Sequence, residues 1–94
     1  MQTLRDYMGR EIRLTEERIT HILVRHPEIL AFTHTIAETL GAPDSVEPDE
    51  DDPEVWKYNR WYTETNYGDK WMVVVVVRKS DDAFISTAYI TNEI

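Results

Sequence analysis

Apolar positions along this chain follow two different periods, and the change between them divides it. From residue 15 to residue 40 they recur every three to four residues, as on one face of a helix. In "TEERITHILVRHPEI", residues 15–29, Ile19, Ile22 and Leu23 share one face, while Glu17, His21 and Arg25 stack at i, i+4 and i+8 on another. Thr15 offers an N-cap hydroxyl, and Glu16 and Glu17 stand in the first turn, where the helix dipole favours acids. Pro27 disfavours helical geometry at His26, so this helix should end near Arg25. Pro27 also suits the first turn of a second helix, with Ile29, Thr33, Ile36, Ala37 and Leu40 inward and Gly41 followed by Ala42 and Pro43 as its stop. Ahead of both helices, "REIRL" (10–14) alternates as a short strand does.

Past residue 54 the period becomes two. "EVWKYNRWYTE" places Trp56, Tyr58, Arg60 and Tyr62 on one side and Val55, Lys57, Asn59 and Trp61 on the other. "KWMVVVVVRK" is apolar on both sides, as a central strand is. "SDDA" (80–83) reads as a hairpin turn and "FISTAYI" as the strand that returns from it. The expected architecture is α+β: two N-terminal helices packed on an antiparallel sheet, in the order short β, α, α, then a three-strand meander. A chain of 94 residues supports one core, hence a single domain over 1–94, with 1–9 as a lead-in and 41–54 as an acidic loop.

Charge sharpens this picture. The net charge is −8, yet Asp44, Glu47, Asp49, Glu50, Asp51, Asp52 and Glu54 fall in one stretch without a basic residue. Outside that stretch, 11 acidic residues nearly balance 10 basic ones. Acidity weakens the case for a nucleic-acid ligand, because phosphate contacts need lysine and arginine. Cysteine is absent, which removes disulfides and thiolate chemistry and suits a reducing compartment. The opening "MQTLRDYMGREIRL" lacks the apolar core of a secretion signal, and "VVVVV" is far short of the roughly 20 residues that span a bilayer. A soluble cytoplasmic protein with no membrane partner is expected.

The blocks "LTEERITHILVRHPEI", "ETLGAPDSV" and "VVVVVRKSDDAFISTAYI" together resemble the phage-associated barnase–EndoU–colicin–RelE-like (PBECR) nucleases. Leu14, Thr15, Glu17, Arg18, His21, Ile22, Arg25, His26, Pro27 and Glu28 carry the first block, which is the specific one. Glu38, Thr39, Pro43 and Asp44 match the second, Tyr58 and Arg60 fit a strand, and Thr87, Ala88 and Tyr89 match the last. The resemblance covers about residues 10–94. It implies a barnase/EndoU/RelE-like fold and a metal-independent endoribonuclease, toxin-like or phage-associated, acting on single-stranded RNA or tRNA, with an antitoxin as a further partner. The acidity departs from the basic character expected of such an enzyme.

Metal-free RNA cleavage needs a base for the 2′-hydroxyl, an acid for the leaving oxygen and positive charge at the phosphorane, roles that histidine and arginine fill. His21 stands between Glu17 and Arg25, in either a surface charge ladder or a site. The resemblance favours the site, with His21 as general acid/base and Glu17 as its orienting partner. His26 is either a residue packed inward that caps the second helix or a further catalytic group. His34 is expected at the surface or partly buried. Arg60, among aromatics, must open onto a cleft or pair with an acid such as Glu17 or Glu28, since an unpaired buried arginine is very costly. Arg25 would add charge, and Arg18, Tyr58, Thr87 and Tyr89 would contact substrate. No cofactor is expected: His21 and His26 are five apart, not at the i, i+4 spacing of helical zinc ligands. The acidic stretch supports an alternative, a non-catalytic acidic binding or inhibitor protein of a phage or mobile element that engages a basic protein partner.

Overall fold

A computed structural model describes residues 1–94. The chain runs through β1 (Gln2–Arg5), β2 (Glu11–Leu14), α1 (Glu16–Arg25), a 3-10 segment (Pro27–Phe32), α2 (Thr33–Gly41), β3 (Ser45–Pro48), β4 (Val55–Thr65), β5 (Gly68–Arg78) and β6 (Ala83–Thr91). The α+β class is as expected. All strands join one sheet in the order β1-β2-β6-β5-β4-β3. Every pairing is antiparallel except β2 with β6, which run parallel where Arg13 lies opposite Phe84.

Local signals set the helix ends. The Thr15 hydroxyl accepts the Arg18 N–H at 3.1 Å, and the His26 N–H donates to the Ile22 carbonyl at 2.7 Å as α1 closes before Pro27. Beyond Pro27 the expected single helix is split, because its first turns are 3-10. That tighter winding shifts the phase of the helical residues beyond it. Ile29, Phe32, Thr35, Ile36, Thr39 and Leu40 are buried, whereas Thr33 and Ala37, assigned inward by an uninterrupted helical count, are exposed.

Two strands lie where none was expected. The lead-in forms β1, which pairs with β2 across a turn at Asp6–Arg10, and Gly9 there takes φ +82°, a conformation that favours glycine. The first half of the acidic stretch forms β3, an edge strand with Ser45 opposite Asn59 and Val46 opposite Tyr58. Both strands span four residues and, unlike the equally short β2, have no alternation of buried and exposed positions to mark them. The expected meander is therefore the middle of a six-stranded mixed sheet.

Alternation along the strands gives the sheet two unlike faces. Tyr58, Met72, Val74, Val76, Ile85 and Ala88 join Ile12, Leu14, Ile22, Ile29, Ile36 and Leu40 in the core beneath the helices. The opposite face carries no helix. Its cross-strand rows are Thr87–Val75–Lys57–Glu47, Tyr89–Val73–Asn59–Ser45 and Thr91–Trp71–Trp61. In β6 the register jumps from Ile85 opposite Val76 to Thr87 opposite Val75, so Ser86 is an inserted residue. That bulge keeps both Thr87 and Tyr89 on the open face.

Candidate functional site

The charged face of α1 comes first, since the sequence places its site there. His21, Glu17 and Arg25 are all exposed, as their spacing requires, but none forms a side-chain hydrogen bond or ion pair. Glu17 and Arg18 border a shallow hollow of about 160 Å³ with Arg13, Thr15, Phe84 and Ile85. Arg13 is already held there by Asp82 through two bonds, at 2.9 and 2.6 Å. His34 is exposed at the rim of an apolar groove of about 390 Å³ that runs along the seam of α1 and α2 past Leu23 and Ile29.

Arg60 and Tyr58 have been taken up by the fold. Arg60 meets neither Glu17 nor Glu28. Its Nη1 donates to the Ala42 carbonyl at 2.5 Å, at the C-terminus of α2, and its guanidinium lies 5.6 Å from the Tyr62 ring centroid. A cation at the last carbonyls of a helix is favoured by the dipole, so Arg60 acts as a cap delivered from a strand. The Tyr62 hydroxyl donates to Glu38 at 2.7 Å and ties the same helix down. Burial, and then the bond to Glu38, push the Tyr62 phenol up.

Tyr58 is fully buried, so its hydroxyl meets protein and no ligand. It donates to Asp6 Oδ2 at 2.6 Å, beside Arg10 Nη1, which reaches the same oxygen at 2.5 Å. Asp6 Oδ1 accepts the N–H groups of Met8 and Arg10 at 3.0 and 2.9 Å. Burial works to raise the Asp6 carboxyl, but the bonds from Tyr58, the Arg10 and Met8 amides and the Arg10 guanidinium outweigh it and hold it below its usual value. Burial and the bond to Asp6 push the Tyr58 phenol up to about 12. Arg78 lies above this cluster, 4.1 Å from the Trp56 ring centroid and 3.5 Å from the Tyr58 oxygen. The network joins the β1–β2 turn to β4. Its sequence signal was the turn chemistry of "DYMGR", where an aspartate precedes a glycine by three residues.

One predicted histidine does acquire partners. His26 closes α1, and its ring centroid lies 5.7 Å from that of Tyr89, the planes tilted by 35°. Its Nδ1 is 3.6 Å from the Glu28 carboxylate. The imidazole does not cap the second helical segment; only the His26 carbonyl does, accepting the Ile29 N–H at 3.0 Å. The His26 side chain keeps 34% of its surface exposed.

Tyr89 continues onto the open face, where it lines a hollow of about 190 Å³ with Lys57, Asn59, Val73, Glu47, Glu93 and Ile94. Asn59 donates to Ser45 at 3.1 Å, while its buried carbonyl oxygen has no partner. Thr87 stands one residue pair along β6 from Tyr89, in the row that ends on Lys57 and Glu47. The structure therefore sets His26 and Glu28 beside Tyr89, puts Thr87, Lys57 and Asn59 on the same sheet face as Tyr89, and leaves His21, Arg25 and Arg60 outside that group. Lys57 and Asn59 were legible only as the second side of an alternating strand. No three His, Asp or Glu side chains converge on a point that could hold a metal ion, and no helix is long and apolar enough to cross a membrane.

Compared with protein-family models, with curated proteins and with solved structures, the chain matches none.

Proposed function

We propose that this chain is a metal-independent endoribonuclease of the barnase/EndoU/RelE-like type, cleaving single-stranded RNA or tRNA in the cytoplasm on the open face of its sheet. One observation carries the reading: His26, with the Glu28 carboxylate 3.6 Å from its Nδ1, packs against Tyr89 at the rim of a face that also bears Thr87, Lys57 and Asn59. A meander of β3, β4, β5 and β6 with helices on its other side suits such an enzyme. His26 transfers the proton, and the Glu28 carboxylate orients its ring. Lys57 supplies charge to the phosphorane, and Tyr89 offers a ring on which an unpaired base stacks. Lys57 and Thr87 are two strand spacings apart, about 10 Å. On this reading proton transfer moves from His21, whose side chain bonds to no other, to His26.

A fluorogenic single-stranded RNA and total tRNA, both in excess EDTA, test this. His26→Gln is expected to lower the cleavage rate by roughly 100-fold or more, the usual scale for a lost acid–base group. His21→Ala should stay near wild type. Full activity in His26→Gln, or no cleavage of either RNA by the wild type, would overturn the reading.

The exposed acids Glu47, Glu50, Asp51 and Asp52 support a second reading, since none of them is paired with a cation. On that reading the chain is a non-catalytic acidic protein, carried by a phage or mobile element, that binds a basic protein partner.

A further inference from the structure

We propose that Trp61, Trp71 and Asp44 form a notch that accepts the guanidinium or ammonium of a basic protein partner. The inference deepens the second reading by naming the contact, and it does not depend on whether RNA is cleaved. Trp61 and Trp71 are direct cross-strand partners in β4 and β5, with ring centroids 5.3 Å apart and planes at 61°. They line a shallow, open hollow with Asp44 and Asn92, and Trp61 keeps 39% of its surface exposed. Asp44 accepts the backbone N–H of Trp61 through Oδ2 at 2.8 Å, which fixes the carboxylate beside the rings. It forms no ion pair with any basic residue.

The other cations and aromatics of the chain show what is missing. Arg78 lies over Trp56, Arg60 over Tyr62 and Arg13 over Phe84, each within 6 Å of the ring centroid. Trp61 and Trp71 have no such cation. Lys70 precedes Trp71, and its ammonium is bonded to Asn92 at the edge of the hollow, so it is held there and does not lie over either indole. An exposed indole face beside an unpaired carboxylate suits a cation, which is attracted by both the ring quadrupole and the charge. The same carboxylate opposes a phosphate, and the acids beyond it in β3 and its exit loop extend the negative field along this edge of the sheet. The row of Trp61 and Trp71 adjoins that of Asn59 and Tyr89, so a partner seated in the notch would also cover the open face.

The test titrates the full chain with a tetra-arginine amide peptide, following the indole N–H resonances of Trp61 and Trp71, with a single-stranded oligouridylate as the competing probe. The peptide should shift both indole signals. Trp61→Ala and Asp44→Asn should each raise its Kd by about two- to thirtyfold, the range of a cation–aromatic contact. Glu50→Gln removes the same charge from the loop and should change Kd by less than Asp44→Asn. Equal effects of Asp44→Asn and Glu50→Gln would reduce the notch to the general acidic field and overturn it. So would an oligouridylate that shifts the indoles where the peptide does not. Peptide binding that survives neutralisation of Glu47, Glu50, Asp51 and Asp52 but fails in Trp61→Ala supports the notch while removing the loop from the second reading.

Discussion

Replacing Tyr58 with phenylalanine removes one oxygen from the middle of the buried network and nothing else. Asp6 then keeps three of the four donors that reach its carboxylate: the Met8 and Arg10 amides and the Arg10 guanidinium. The lost bond is 2.6 Å long, fully buried and made to a charged acceptor. Such a bond contributes about 1.5–3 kcal/mol, so Tyr58→Phe should destabilise the fold by that amount at neutral pH. The pH dependence is more telling. Tyr58 holds its proton up to about 12, above the ordinary phenol value of 10.0, so its contribution is complete below pH 10 and disappears as pH climbs from 10 to 12. At the acid end Asp6 is held below its ordinary 3.8, and its contribution is lost as pH falls through that depressed value. The stability gap between wild type and Tyr58→Phe should therefore be widest between about pH 5 and 9 and narrow at both extremes. Urea unfolding monitored by tryptophan fluorescence at pH 3, 7 and 11 measures it. A gap under about 0.5 kcal/mol at pH 7, below the weakest bond of this kind, or a gap unchanged across the three pH values, would refute the role given to this network.

Other substitutions separate packing from chemistry. Ile22 is 1% exposed, so Ile22→Ala should cost roughly 2–5 kcal/mol in urea unfolding, whereas exposed His21→Ala should stay within about 0.5 kcal/mol. Arg60→Lys keeps the charge but loses the fork that reaches the Ala42 carbonyl; a stability loss of about 1 kcal/mol with RNA cleavage intact is expected, and a cleavage defect at full stability would return Arg60 to the site. Gly9→Ala should destabilise the β1–β2 turn by about 1 kcal/mol, read as a lower Tm, because alanine strains at φ +82°.

Much of the frame was open to a reading of residues alone. Helix α1, with its cap at Thr15 and its break at Pro27, β4 to β6, and the shared face of Thr87 and Tyr89 all rest on local rules. These are hydroxyl capping, proline geometry and side-chain alternation, each decided within a few neighbouring residues. Charge partition was legible in the same way, since the acidic stretch is contiguous.

The features that tertiary structure decided involve partners distant along the chain. Strands β1 and β3, unlike β2, carry no alternation of their own and exist because the strands bearing Ile12 and Tyr58 offer them a sheet to join. The parallel contact of β2 with β6 links Arg13 to Phe84 across 71 residues, and no local pattern announces it. Arg60 illustrates the same limit: an arginine among aromatics demands a partner, but only folding determined that the partner is a helix-terminal carbonyl rather than a carboxylate or a phosphate. Tyr58 alternates on its strand as Tyr62 does, yet the β1–β2 turn brings Asp6 over Tyr58 alone. His21 was read on the charged face of the first helix and His26 just past its proline-broken end. Proline ended that helix, and packing against β6 set His26 beside Tyr89 while His21 stayed in solvent, because side-chain direction is set by the backbone but neighbours are set by the fold.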